Sequence, residues 1–266
     1  MTRTVRLTLA ACALLAATPA WAQDEEQAPR RMLSIGAGVQ ALPSYPGSDD
    51  YEFSPLFTGF SREEGEPIPF GTPDDRISIG LLGNDSVVDI GPMVQFQVAR
   101  DEEDVGAPVG DVDFTVEVGA FINFNLGDAF RLRLEGQKGI GGHNGLLGTV
   151  AADVAIRPSI DTLITIGPRV RFNDDEYAEA YFGVTPAAAA ASGLPAYDPD
   201  GGLRSVGMLA GVTQQISRSF GVYGYAGYER LMGDAADSPI VQSFGSENQF
   251  LAGLALFFSF NIGGGS

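Results

Sequence analysis

Nine charged residues fall at even spacings along four consecutive runs and are the first candidates for chemistry: Asp113 and Glu117, then Arg131, Arg133 and Glu135, then Asp153 and Arg157, then Arg169 and Arg171. Even spacing along a strand places side chains on one face, so the four runs can present carboxylates and guanidiniums to one another. Lining an open pore, such charges would tune which solutes pass. Facing one another in a narrow interior, they would pair into a ladder that fills it, each opposite pair contributing ~0.2–1 kcal/mol and like charges repelling. The interleaved signs favour the paired, mostly closed interior.

The remaining candidates are weaker. His143, the single histidine, stands in Gly141-Gly-His-Asn-Gly145. It could act as a general base, but no G-x-S-x-G nucleophile motif accompanies it. One imidazole does not make a multi-histidine zinc site, so an exposed loop position is expected. The acidic runs Asp101–Asp104 and Asp174–Glu176 suit hard cations but lack EF-hand spacing and are expected as solvated surface. No catalytic, cofactor-binding or metal-ligating residue is expected.

The elements that must carry these charges read as strands. In residues 111–126, DVDFTVEVGAFINFNL, Val112, Phe114, Val116, Val118, Ala120, Ile122, Phe124 and Leu126 alternate with a mostly polar set. A helix would scatter the two sets, whereas a strand separates them. The same alternation returns near 33–40, 88–98, 130–135, 149–157, 164–172, 203–215, 219–231 and 249–261. No apolar run of 18 or more follows the first 22 residues, so helical membrane spans are excluded from that region. The run Ala187–Ala191, between Pro186 and Gly193, reads as loop.

Composition narrows the class. The 266 residues are 44% hydrophobic, and 35 are glycine, which suits a folded β protein rather than a disordered chain. A net charge of −18 argues against a nucleic-acid partner. Residues 1–22 resemble an export signal: Arg3 and Arg6, an apolar stretch over 7–19, then Ala20-Trp21-Ala22. Leu9-Ala10-Ala11-Cys12 is a rival lipoprotein box, preceded by little apolar chain. Cleavage after Ala22 would remove Cys12, the only cysteine, and leave 14 basic residues against 34 acidic ones, a net charge of −20. Disulfides and cysteine-based metal sites are then excluded from the mature chain.

The connections alternate between tight turns (near 125–129, 158–161 and 217–219) and long segments (100–111, 137–146, 173–202 and 232–248). That is the layout of an outer-membrane barrel. Several runs reach 12 residues or more, beyond the usual ~5–6 of soluble sheets and enough for a tilted crossing of ~9–11. Phe124 and Phe130 flank one tight turn, where an aromatic girdle would sit. The expected fold is therefore an all-β, closed antiparallel transmembrane β-barrel of about 12 strands, occupying residues 23–266 as one domain after a cleaved N-terminal signal peptide. Eleven strands are plain, one of them near 76–82. With both termini on one side the count must be even, and the short segment 66–71 is the candidate for the twelfth. The last strand, about 249–261, places Phe250, Ala252, Leu254, Leu256, Phe258 and Phe260 on one face, similar to the signal read by the barrel-assembly machinery. Its tail, Asn261–Ser266, departs from the usual aromatic terminus.

Tyr45-Pro46-Gly47-Ser-Asp-Asp-Tyr51, Gly91-Pro92 leading to Arg100, Tyr181-Phe182-Gly183-Val184, Ser192–Tyr197 with Gly201–Leu203, and Tyr228–Val241 together resemble the MipA/OmpV family of outer-membrane proteins. The last contains Arg230, Gly233, Asp234, Asp237, Ser238 and Pro239, and is the most specific. Ala99 stands where the family pattern has glycine before the arginine. The resemblance implies a Gram-negative outer-membrane barrel without catalytic residues, exported by general secretion. Its implied surroundings are membrane lipid and lipopolysaccharide, with the barrel-assembly machinery as a partner during biogenesis. One family member is described as a scaffold joining a murein lytic transglycosylase to a penicillin-binding protein, which makes those enzymes expected partners. Others resemble adhesins or porin-like proteins. A structural scaffold is the leading expectation, a small channel or adhesin the alternative, and a hydrolase using His143 the last.

Overall fold

The computed structural model describes residues 31–83 and 86–262. The expected signal, residues 1–22, lies outside them. Eleven antiparallel strands form one sheet curled into a half-barrel: β1 (Arg31–Pro43), β2 (Tyr51–Glu63), β3 (Ile77–Ser78), β4 (Val88–Gln97), β5 (Thr115–Leu126), β6 (Phe130–Gly141), β7 (Leu146–Ser159), β8 (Thr162–Asn173), β9 (Gly202–Ser217), β10 (Phe220–Leu231) and β11 (Asn248–Ile262). Neighbours in space follow the chain, and β1 also pairs with β11, so the sheet runs from β2 through β1 and β11 back to β3. Arg31 stands opposite Ile262. Both described ends therefore lie at the tight-turn end.

The alternation that defines each strand also decides which face meets protein. On β5, Thr115, Glu117, Phe121 and Asn123 are buried on the concave face, while Val118 and Ile122 are exposed on the convex one. β11 repeats this at larger scale, with Leu254, Leu256 and Phe258 each more than half exposed. A soluble sandwich would bury these side chains between two sheets. Among the described residues no second layer covers them, and the polar face is the interior. So contiguous an apolar surface is foreign to soluble monomers.

The twelfth crossing is not a strand. Residues 66–71 form none, because Pro67, Pro69 and Pro73 in one short segment deny a wall strand its ladder donors. Instead residues 64–76 leave the tight-turn end of β2 and climb inside the curl as a strap. At its foot Ile68 N–H donates to Ile160 O, 3.0 Å, at the β7–β8 turn. At its head Ile77 pairs with Val94 on β4. The even count of traverses is thus met by ten long strands, one very short one and one interior passage. The strand expected near 76–82 is regular only over Ile77–Ser78, although Ile79 and Leu81 N–H continue to Pro92 and Ile90 O. No ladder joins β2 to β3 among the described residues.

At the long-loop end, five short helices form a cap: α1 (Glu102–Val105), α2 (Asp175–Phe182), α3 (Pro186–Ser192), α4 (Gly233–Asp237) and α5 (Pro239–Phe244). The alanine run, expected as loop, is α3. Thr185 Oγ1 accepts from Ala188 N–H, Pro186 occupies the first turn and Gly193 closes the end at φ +80°. Those terminal signals outweigh the brevity of the run.

Candidate functional site

Two interiors share the molecule. The first is the lumen. Six of the nine sequence-derived charges join a polar network there, and most of their partners are on the strap. Arg131 donates to Thr72 Oγ1 (2.8 Å) and Asp75 Oδ1 (2.6 Å). Arg169 holds both carboxylate oxygens of Asp74 at 2.8 Å and reaches Asp153 at 2.8 Å. Glu135 lies 3.4 Å from Arg76 and accepts from Arg133 at 2.5 Å. Arg133 also stacks on Phe121, 4.2 Å from the ring centre. Arg171 pairs with Glu229 at 3.1 Å. These groups are at the strand positions that face inward, so burial forces each into partnership.

Three sequence-derived residues sit differently. Asp113 is exposed and precedes β5, because the alternation slips between Val112, buried in the cap, and Thr115. Arg157 finds backbone carbonyls, Ile68 O at 3.4 Å and Asp128 O, at the tight-turn end. Glu117 meets no guanidinium. It accepts from Gln137 and contacts His143 Nε2 at 3.2 Å.

His143 corrects the expectation of an exposed loop: it is buried. Its Nδ1 accepts from Gly145 N–H at 3.2 Å, which leaves Nε2 as the donor to Glu117. Tyr177 and Tyr181 pack edge-on against the ring, at 4.9 and 5.8 Å. Both ring nitrogens are engaged, so the imidazole braces the lumen to the cap.

The second interior is the apolar heart of the cap, and the family-motif residues build it. Tyr45, Tyr181, Phe182 and Ser238, remote in sequence, are all buried together with Val184, Ile240 and Val241. Ser238 Oγ donates to Phe182 O at 2.7 Å and accepts from Ile240 N–H, while Pro239 starts α5. Gly47 adopts φ +97°, and a Cβ there would stand 2.7 Å from Val241 Cγ2, so only glycine fits after Pro46. Gly183 ends α2 by donating to Glu179 O, 3.1 Å. Gly233 opens α4 at φ +52°. Asp234 accepts from Asp200 N–H and, through its carbonyl, from Tyr197 OH. Arg230 pairs with Glu247 at 2.5 Å at the surface, and Asp237 is exposed. Arg100 threads the centre: its guanidinium donates to Tyr181 O and Gly110 O and lies under 6 Å from the Tyr45 and Tyr181 rings. Burial raises the phenols of Tyr45, Tyr177 and Tyr181 above their ordinary range. The acidic runs serve the backbone. Asp104 caps Asp101 N–H, Asp174 caps α2 and Asp175 accepts from Gly201 N–H.

Sequence reasoning missed the strap residues Asp74, Asp75 and Arg76, together with Arg62, which ties β2 to Ile160 O and Asp161 at 2.8 Å. Three prolines followed by Asp-Asp-Arg was the available signal. Between the strap and the cap lies a chamber of about 610 Å³, lined in part by Arg76, Glu117, Arg171, Tyr177, Arg204 and Glu229.

Residues 35–260 match the model of the family described as MltA-interacting protein MipA. No curated protein matches the chain. Solved structures similar to it include an outer membrane channel from Pseudomonas putida F1 (7% identity, 91% of this chain and 100% of that one, TM-score 0.43). OmpT of Vibrio cholerae (10%, 86% and 97%, 0.38) and OprG from Pseudomonas aeruginosa (8%, 88% and 97%, 0.31) are also similar.

Proposed function

The chain belongs to the MipA family, and from that premise we propose that it is a non-catalytic outer-membrane barrel that serves as a structural platform rather than a pore. The observation that carries this reading is the pairing of the two faces: a bare apolar convex surface suited to lipid and lipopolysaccharide, around an interior blocked by the strap and its ion pairs. In the bilayer the β2 and β3 edges close below the chamber, toward the tight-turn end, since unpaired backbone is costly in hydrocarbon. The tight turns and both described termini face the periplasm, and the cap faces outward. General secretion and the barrel-assembly machinery deliver it there.

On the periplasmic side the platform joins a murein lytic transglycosylase to a penicillin-binding protein. The family's description as MltA-interacting protein supports the first of these partners. Affinity capture from detergent extracts tests this: recovery of both enzymes is expected, and repeated recovery of neither removes the scaffold role. A channel is the second reading, favoured by the chamber above the strap. Planar-bilayer recordings separate the two. The native chain should show little steady conductance and an Asp74→Ala/Asp75→Ala variant should show more; wide, steady native conductance would overturn the platform.

A further inference from the structure

The chamber is not closed on all sides. Its lining includes Ile77, Phe96 and Val98, which are also exposed on the convex face, and Leu42 and Ser54 from β1 and β2. The cavity therefore runs sideways through the wall, between β2 and β3, where no ladder joins the strands. Its threshold is apolar on the β3–β4 side, at Ile77, Phe96 and Val98, and polar on the β2 side, at Glu52 and Ser54. Its inner end is polar, with Gln95, Gln97, Gln137 and Gln249 among the lining side chains. A volume of about 610 Å³ lies within the ~300–1,000 Å³ of small-molecule sites.

The unused hydrogen-bonding capacity at the inner end is cationic. Of the five carboxylates that line the chamber, four are already engaged: Glu117 with His143 and Gln137, Glu229 with Arg171 and Ser205, Asp74 with Arg169 and Asp75 with Arg131. The fifth, Glu52, lies on β2 at the threshold. Arg204 stacks on Tyr177, 5.0 Å from the ring centre, and has no carboxylate within ion-pairing distance among the described residues. Arg76 Nε lies 3.4 Å from Glu135 without hydrogen-bond geometry, and its two terminal nitrogens make no hydrogen bond among the described residues. Half-buried guanidinium donors without hydrogen-bond partners favour an anionic oxygen acceptor.

We infer that the chamber binds an anionic amphiphile, a single acyl chain with a carboxylate or phosphate head, which enters from hydrocarbon through the β2–β3 seam. The head meets Arg76 and Arg204, and the chain lies across Leu42, Ile77 and Phe96. The inference rests on the convex face meeting lipid, as proposed above.

The test uses the full chain in phospholipid vesicles containing a twelve-carbon fatty acid with a diazirine on its chain, with labelled residues located by mass spectrometry after illumination. Labelling of chamber residues is expected. It should fall at least tenfold in an Arg76→Gln/Arg204→Gln variant, survive in Arg204→Lys, and fall at least tenfold for the corresponding diazirine alcohol. Labelling confined to outward side chains such as Phe53 and Phe57 in a chain that has inserted would overturn the site alone. A chain that never enters the vesicles would sink the membrane reading and this inference with it. A second arm supplies the fatty acid only from water to lipid-embedded protein before it can partition. Chamber labelling found in that arm and missing from preloaded vesicles would overturn entry through the wall.

Discussion

The lumen and the cap are both interiors of one chain, and they are held by opposite means. In the lumen, Arg131, Arg133, Asp153 and Arg169 are almost wholly buried. Each is kept there by a charged or hydrogen-bonding partner, so removing one side chain strands another. In the cap, Tyr45, Phe182, Ile240 and Val241 fill volume, and hydrogen bonds enter chiefly at helix ends and around Arg100. The wall turns its apolar side chains to the convex face, so its inner face is largely polar and coheres chiefly through electrostatic pairing, with one small apolar cluster of Ile68, Ala155 and Leu163 at the foot of the strap. The cap has an apolar core of its own.

The comparison breaks most easily at Arg169. Arg169→Ala leaves Asp153 buried without its cation and Asp74 with Arg171 alone, at 3.5 Å, a loss of ~3–5 kcal/mol. It should lower the urea midpoint of the heat-modifiable folded form; an unchanged midpoint would mean the lumen is not held by pairing. Phe182→Ala should cost about 3 kcal/mol, at the low end for a buried aromatic, but in the cap alone. Protease clipping within 173–202 should accelerate while the folded barrel persists on gels, and loss of both together would show one cooperative unit.

Alkali should separate the two interiors without mutation. Burial holds the Tyr45, Tyr177 and Tyr181 phenols above the 10.0 of an exposed tyrosine. Their stabilisation of the cap is therefore complete below pH 10 and is lost as pH climbs towards the folded values, by ~1.4 kcal/mol per pH unit for each phenol. Tyrosinate absorbance rising together with cap proteolysis is expected; tyrosinate forming in an intact cap would contradict the burial. Smallest is Ser238→Ala, which removes a helix cap and the bond to Phe182 O for about 1 kcal/mol, detectable as faster amide exchange over 239–244.

The two regions were also unequally legible. Period-two alternation revealed the wall because each strand's faces depend only on its own sequence: the pattern of residues 111–126 locates β5 to within a few residues. Partners across the lumen were not legible, since Arg131 and Asp75 meet only after the strap has turned inward, and the strap has no periodicity. Its prolines argued against a wall strand, yet parity alone suggested one. In the cap, the resemblance picked out Tyr45, Tyr181 and Ser238 without showing that they touch. His143 misled because glycine-rich surroundings suggest an open loop. Here the glycines allow close approach instead: a Cβ on Gly139 would strike the imidazole at 2.3 Å.

The position of the strap also bears on how the molecule can be made. Residues 64–76 connect the two strands at the free margins of the sheet, β2 and β3. The segment can be laid against Arg131 and Arg169 while the margins are still apart. A lumenal segment joining two strands already zipped together would have to be pushed through a finished ring, and folded chains avoid such threading. The gap between β2 and β3 is thus the side from which the strap reaches the interior without threading.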